Sequence, residues 1–216
     1  MHYSRYKISD FVDLVSSLME VATKDLSIRE AMADVGYSEQ KIEYGEQLCQ
    51  AFMALSSQHE ALTLEKKQVN FQRNQLYLSL KKAYMRAVKI ARIAFQDHED
   101  VLIDLALDLE REKNMDVWMG QGQLFCQKLL ADSNHLVFLQ GFGISREAVE
   151  SLVAQFDELK NISAIKVSVE ERLLLLTKSK KAAMVRFQRW LSDYVKMARI
   201  RFDEDSDKLI LLNIKP

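Results

Sequence analysis

Three basic residues near the middle of the chain, Lys82, Lys89 and Arg92, return near its end as Arg189, Lys196 and Arg199. Steps of seven and then three place each trio on one face of a helix. Cations in such a row do electrostatic chemistry: they hold a phosphate backbone, a nucleotide or an acidic protein. The blander reading is a solvated helix face, with Arg92 and Arg199 paired to a carboxylate in the following turn, Asp97, Asp100, Glu204 or Asp207. A pI near 6.4 and the lack of a nucleic-acid-binding motif put a protein partner ahead of a polyanion.

Residues for other chemistry are few. Carboxylate-bridged metal pairs in helical bundles need Glu-x-x-His on two helices. Here the residues three before His59, His98 and His135 are Ser56, Phe95 and Asp132, and His2 has no residue at that distance. Glu43 and Glu46 on one helical turn read as a solvated face. No metal and no cofactor are therefore expected. There is no Gly-x-Ser-x-Gly for a nucleophile. Gly120-Gln121-Gly122 and Gly141-Phe142-Gly143 lack the Gly-Lys and flanking strand of a phosphate loop. Cys49 and Cys126 read as two buried thiols of a reducing cytoplasm. Phe95, Trp118, Phe125, Phe187, Trp190 and Phe202 would line the pocket of a small-molecule-binding bundle, but rings at helical spacing more often make core. A non-enzymatic protein is the expectation.

Positioning these residues falls to an element that occurs twice. At an offset of 107, Val88, Lys89, Ala91, Arg92, Ile93, Phe95, Asp100, Leu102, Ile103 and Leu105 recur as Val195, Lys196, Ala198, Arg199, Ile200, Phe202, Asp207, Leu209, Ile210 and Leu212. The same offset carries Gly36, Ser38 and Glu43 onto Gly143, Ser145 and Glu150. The chain thus reads as an internal duplication, with residues 1–107 as helical repeat one and 108–216 as helical repeat two.

With 6 Gly and a single Pro in 216 residues, helix is the only regular structure expected. Phe11, Leu14, Val15, Leu18, Met19 and Ala22 form an amphipathic stripe behind Asp10 as N-cap, and Trp118 to Leu130 is the equivalent helix. A short turn of helix from Ile28 to Ala33 ends at Gly36, which takes the left-handed helix-end conformation, as Gly143 does in the second repeat. Ser38 and Ser145 then cap the next helix of each repeat.

Neither Gly nor Pro occurs between Gly45 and Gly120, or between Gly143 and Pro216. A four-three seam runs Leu48, Phe52, Leu55, His59, Leu62, Lys66, Val69, Arg73, Leu76, Leu80, Ala83, Ala87, Ile90, and its equivalent runs from Gln155 to Met197. This pattern predicts helices over about 38–95 and 145–202, each some 58 residues and on the order of 85 Å long. A turn near Ser56-Ser57 and Ser163 is the alternative, with Ser57/Glu60 and Ser168/Glu171 as capping boxes. Polar seam residues, His59 matching Lys166 and Arg73 matching Lys180, would fix register, with a pH-sensitive role for His59 as the sharper alternative.

Charge is segregated along the chain. Residues 60–95 carry eight positive and two negative charges, and 165–202 carry ten and three. By contrast, residues 96–117 carry two positive and eight negative charges, and 1–59 carry five and nine, enough to neutralise the basic stretches within the fold or between subunits. The first seven residues have no apolar core of a signal peptide, and no apolar run is long enough to span a membrane.

The expected protein is an all-α, internally duplicated helical bundle. Two long coiled-coil-like helices lie related by an approximate twofold, with shorter helices at their ends. Its expected role is cytoplasmic: a protein-protein interaction scaffold or self-assembly module, with a protein partner or second copy, no membrane, and nucleic acid as the lesser possibility.

Overall fold

The computed structural model describes residues 8–215, with side chains from Asp10 onward. The N-terminal segment read above for targeting, His2 and Pro216 lie outside the described residues. The described chain is all helix: α1 Ile8–Lys24, α2 Leu26–Ala33, α3 Glu39–Ala94, α4 Glu99–Asp104, α5 Met115–Ala131, α6 Ser133–Gln140, α7 Arg146–Arg201 and α8 Ser206–Leu211. The bounds of α5 to α8 all lie 107 residues beyond those of α1 to α4.

Local chemistry explains where these helices start and stop. Asp25, Asn114, Asp132 and Asp205 are N-caps whose carboxylate or amide oxygen accepts from the first-turn N–H groups of α2, α5, α6 and α8. Each such cap is worth about 1 kcal/mol. Ser145 Oγ accepts from the Ala148 amide at the start of α7, as expected. Asp10 is not a cap: α1 begins two residues earlier, so its carboxylate sits in the first turn, facing the positive end of the helix dipole.

The turn after α2 closes at Gly36, φ 83°, and the turn after α6 at Gly143, φ 79°. In both, the next amide reaches back across the turn, Tyr37 to the Met32 carbonyl and Ile144 to that of Leu139, while Tyr37 and Ile144 are themselves buried. The ends of α4 and α8 use the same geometry without glycine. Ala106 (φ 50°) and Asn213 (φ 54°) are left-handed, and Leu107 and Ile214 donate back to Leu102 and Leu209.

The break considered near Ser56-Ser57 and Ser163 does not occur. Both α3 and α7 are unbroken over 56 residues. They are amphipathic along a stripe rather than individually stable, and their burial comes from packing against other helices.

The chain forms two compact units, and each draws on both halves of the sequence. The first is Met1–Leu64 with Glu171–Pro216; the second is Glu65–Glu170. In the first, Phe11, Val15 and Leu18 of α1 and Ile28 and Met32 of α2 pack with Phe52 of α3, with Phe187, Leu191 and Tyr194 of α7, with Phe202 just past it, and with Leu209 of α8. Asn213 Nδ2 donates to Ser17 Oγ at 3.0 Å, and Arg201 Nε donates to the Ala31 carbonyl at 3.1 Å. In the second, Leu80, Tyr84 and Val88 of α3 and Phe95 just past it pack with Val101 of α4, with Trp118 and Phe125 of α5, with Leu136 of α6, and with Phe156 of α7. The short helices before one long helix are thus closed over by the end of the other.

Within each unit α3 and α7 run antiparallel, and polar seam residues set their register. In the first unit His59 Nε2 lies 3.2 Å from Thr177 Oγ1. The Thr177 hydroxyl already donates to the Leu173 carbonyl, so the imidazole N–H must be the donor. That N–H is present in both the neutral ring and the imidazolium, so protonation does not break the contact. In the second unit Glu170 bridges Lys66 and Lys166, each at 3.0 Å, and seven residues further along α3 Arg73 Nε donates to Ser163 Oγ at 3.1 Å. These two lysines, Lys166 first, hold the Glu170 carboxyl below its ordinary range.

The seam is less regular than its spacing suggests. Ala83 is exposed and Ile90 half-buried, because the end of α3 turns a wider stripe, Leu80, Tyr84, Ala87, Val88, Ala91 and Phe95, onto α5 and α7.

Candidate interaction faces

The buried stripe at the end of α3 leaves an opposite face, and Lys82 and Lys89 lie on it. Leu78, Lys82, Arg86, Lys89 and Ile93 follow one another at steps of four, four, three and four, and all are exposed. The corresponding row on α7 is Val185, Arg189, Asp193, Lys196 and Ile200, again all exposed. The apolar ends are open to water: Ile93 is 66% and Ile200 68% exposed. Lys196 lies 3.5 Å from Asp193, both on the surface.

Arg92 and Arg199 behave differently from the lysines. Arg92 is half-buried, and its Nε and Nη2 donate to the Leu107 and Leu109 carbonyls, each at 2.7 Å. Arg199 Nη2 donates to the Lys215 carbonyl at 3.3 Å. The acceptors are main-chain carbonyls just past α4 and α8, not the turn carboxylates considered from sequence. Once Ala106 and Asn213 reverse the chain, those carbonyls have no helical partner, and a guanidinium can reach two at once. Of the six basic candidates, Lys82 and Lys89 in the second unit and Arg189 and Lys196 in the first keep their charge on open helix surface.

The six aromatic candidates are divided between two separate cores. Phe95, Trp118 and Phe125 belong to the second unit, and Phe187, Trp190 and Phe202 to the first. In the second unit Phe156 is boxed by Tyr84 and Trp118, with ring centroids 5.5 Å away in each case. The Arg111 guanidinium stands 5.6 Å over the Tyr84 ring and donates to the Ala106 carbonyl. Sequence reasoning passed over Arg111 because it lies in an acidic connecting stretch without periodicity.

The titratable groups inside these cores are suited to packing. Burial pushes the Cys49 thiol up to about 11, with Glu46 adding to the effect, and the Cys126 thiol up to about 12. Both cysteines are free and buried. Burial raises Tyr37, with a contribution from Asp193, and Tyr84 to about 12, and raises Tyr194 further. None is poised as a nucleophile or base near neutrality.

Among the described residues, no three His, Cys, Asp or Glu side chains lie so as to share a metal ion, and no helix is long and apolar enough to cross a membrane. The chain matches no protein-family model, no curated protein and no solved structure.

Proposed function

We propose that this protein is an internally duplicated, non-enzymatic helical scaffold that binds a protein partner through the outer faces of its two long helices. The observation that carries the reading is the pair of exposed rows, Leu78-Lys82-Arg86-Lys89-Ile93 and Val185-Arg189-Asp193-Lys196-Ile200. Ile93 and Ile200 are identical residues at equivalent positions, and neither contributes to a core. Single exposed aliphatics are common on any surface. The same aliphatic kept twice beside the same lysine has no packing explanation, and a mixed apolar and cationic face suits an acidic protein surface. The equal spacing of α1 to α4 and α5 to α8 supports the duplication itself.

The polyanion reading draws on the same cations and is weakened by the use of Arg92 and Arg199 on main-chain carbonyls. Three open cations on α3, and two on α7 with Asp193 between them, are few for a phosphate backbone, whose binding strength grows with each charge neutralised.

Affinity purification of the tagged chain from its native host, beside the Lys89→Glu/Lys196→Glu variant, tests the proposal. Stoichiometric protein partners that survive high salt and are lost from the variant are expected. Nucleic acid that co-elutes at low salt, raises the 260/280 nm ratio and is stripped at high salt would replace the scaffold reading with the polyanion one.

A further inference from the structure

Between α3 and α7 in the first unit lies a groove of about 220 Å³, below the roughly 300–1,000 Å³ of pockets that take drug-sized molecules. Its occupant must be small. Phe52 and Met184 are buried and make an apolar floor, and Val185 stands exposed beside them. The rest of the lining is His59, Thr177, Lys180 and Lys181, with no Asp or Glu.

The polar groups here differ in how they are satisfied. His59 and Thr177 are bonded to each other, and the Thr177 hydroxyl also donates to the Leu173 carbonyl. Lys180 and Lys181 have no hydrogen-bond or ion-pair partner among the described residues. Along α3, Phe52, Ser56 and His59 follow at steps of four and three, and along the antiparallel α7 so do Met184, Lys180 and Thr177. Ser56 and Lys180 therefore share a level between the apolar floor and the His59–Thr177 contact. Ser56 is 6% exposed, and its Oγ has no hydrogen-bond partner among the described residues. It does not even donate to the carbonyl one turn back, as Thr63 and Thr177 do. A buried hydroxyl left in this state costs about 1–3 kcal/mol.

The matching level of the second unit is closed by its own side chains. There, 107 residues away, Arg73 stands for Lys180 and Ser163 for Ser56, and Arg73 Nε donates to Ser163 Oγ at 3.1 Å. Lys166, which stands for His59, pairs with Glu170 at 3.0 Å. The first unit keeps a cation and a hydroxyl in the same places without joining them, beside an open apolar floor.

We infer that this groove binds a small amphipathic carboxylate, of the medium-chain fatty-acid type. The carboxylate accepts from Lys180 Nζ and the Ser56 hydroxyl, with the charge of Lys181 close by, and the hydrocarbon lies on Phe52, Met184 and Val185. Each part of the groove selects one property of the ligand. The apolar floor favours a chain, cations without a carboxylate favour an anion, and two donors at one level match the two oxygens of a carboxylate.

Isothermal titration calorimetry of the full chain with sodium octanoate tests this, beside octan-1-ol, which has the tail without the charge, and acetate, which has the charge without the tail. Saturable octanoate binding is expected, with each control at least about tenfold weaker. Lys180→Met, which keeps the stem and removes the charge, should weaken octanoate about tenfold. Ser56→Ala should weaken it about threefold to tenfold yet leave the thermal midpoint equal or higher, because the hydroxyl has no partner to lose in the free protein. Circular dichroism melts supply that midpoint and confirm that both variants fold. No saturable heat at millimolar octanoate, equal binding of octan-1-ol, or wild-type affinity in Lys180→Met overturns the inference. Tighter binding of octyl phosphate overturns the carboxylate as the head group.

Discussion

Two glycines of α5, two residues apart, should respond to the same substitution with opposite signs. Glycine inside a helix costs about 1 kcal/mol relative to alanine, through backbone entropy. At Gly120 an added Cβ meets nothing within 4 Å, so Gly120→Ala should stabilise the protein by about that amount. At Gly122 the same Cβ would lie 2.1 Å from Cζ of Phe156 and 2.7 and 2.8 Å from its two Cε atoms. Ordinary contact begins near 3.4 Å, so the ring must retreat by roughly 1.3 Å. Phe156 has nowhere to go: it is fully buried between Tyr84 and Trp118. Overpacking of this kind costs about 1–3 kcal/mol, and with the ring boxed in we expect the upper half of that range. After subtracting the helix-propensity gain, Gly122→Ala should destabilise by about 1–2 kcal/mol, leaving about 2–3 kcal/mol between the variants. Urea unfolding followed by far-UV circular dichroism measures the difference, and tryptophan fluorescence follows the same core through Trp118. A Gly122→Ala protein as stable as wild type would refute the close packing of α5 on α7.

Arg92→Ala should destabilise by about 2 kcal/mol, since it strands two carbonyls past α4, whereas Lys82→Ala and Lys89→Ala should each stay within about 0.5 kcal/mol; denaturant melts separate the two behaviours. Ala106→Gly should stabilise by about 0.5–1 kcal/mol, because Ala106 holds a left-handed φ of 50° that glycine adopts freely. An unchanged or lower midpoint would contradict that backbone geometry. Cys49 and Cys126 should resist a thiol-specific reagent at pH 8 and react together only on addition of denaturant, as thiols raised to about 11 and 12 hold almost no thiolate there. Stability should also fall as pH rises from about 9 toward 12. The buried thiols and the Tyr37 and Tyr84 phenols are held neutral in the fold, so the unfolded chain releases their protons first, and the stability they contribute below pH 9 is lost on the way to their folded values. A flat thermal midpoint across that range would count against burial as the cause.

The lengths and types of the helices were legible in the sequence because they depend on local chemistry. The lack of Gly and Pro over most of each long helix, Gly36 and Gly143 at helix ends, and Ser145 as a cap act within a turn or two of chain. The 107-residue spacing was legible for the same reason, since it compares the chain only with itself. Which elements share a core was decided by tertiary structure. Burying the apolar stripes required the end of α7 to close over α1 and α2, and the end of α3 to close over α5 and α6, so that each compact unit takes part of both halves of the chain. Spacing alone also missed where Arg92 and Arg199 spend their charge, because the orphan carbonyls past α4 and α8 come within reach only once Ala106 and Asn213 reverse the chain.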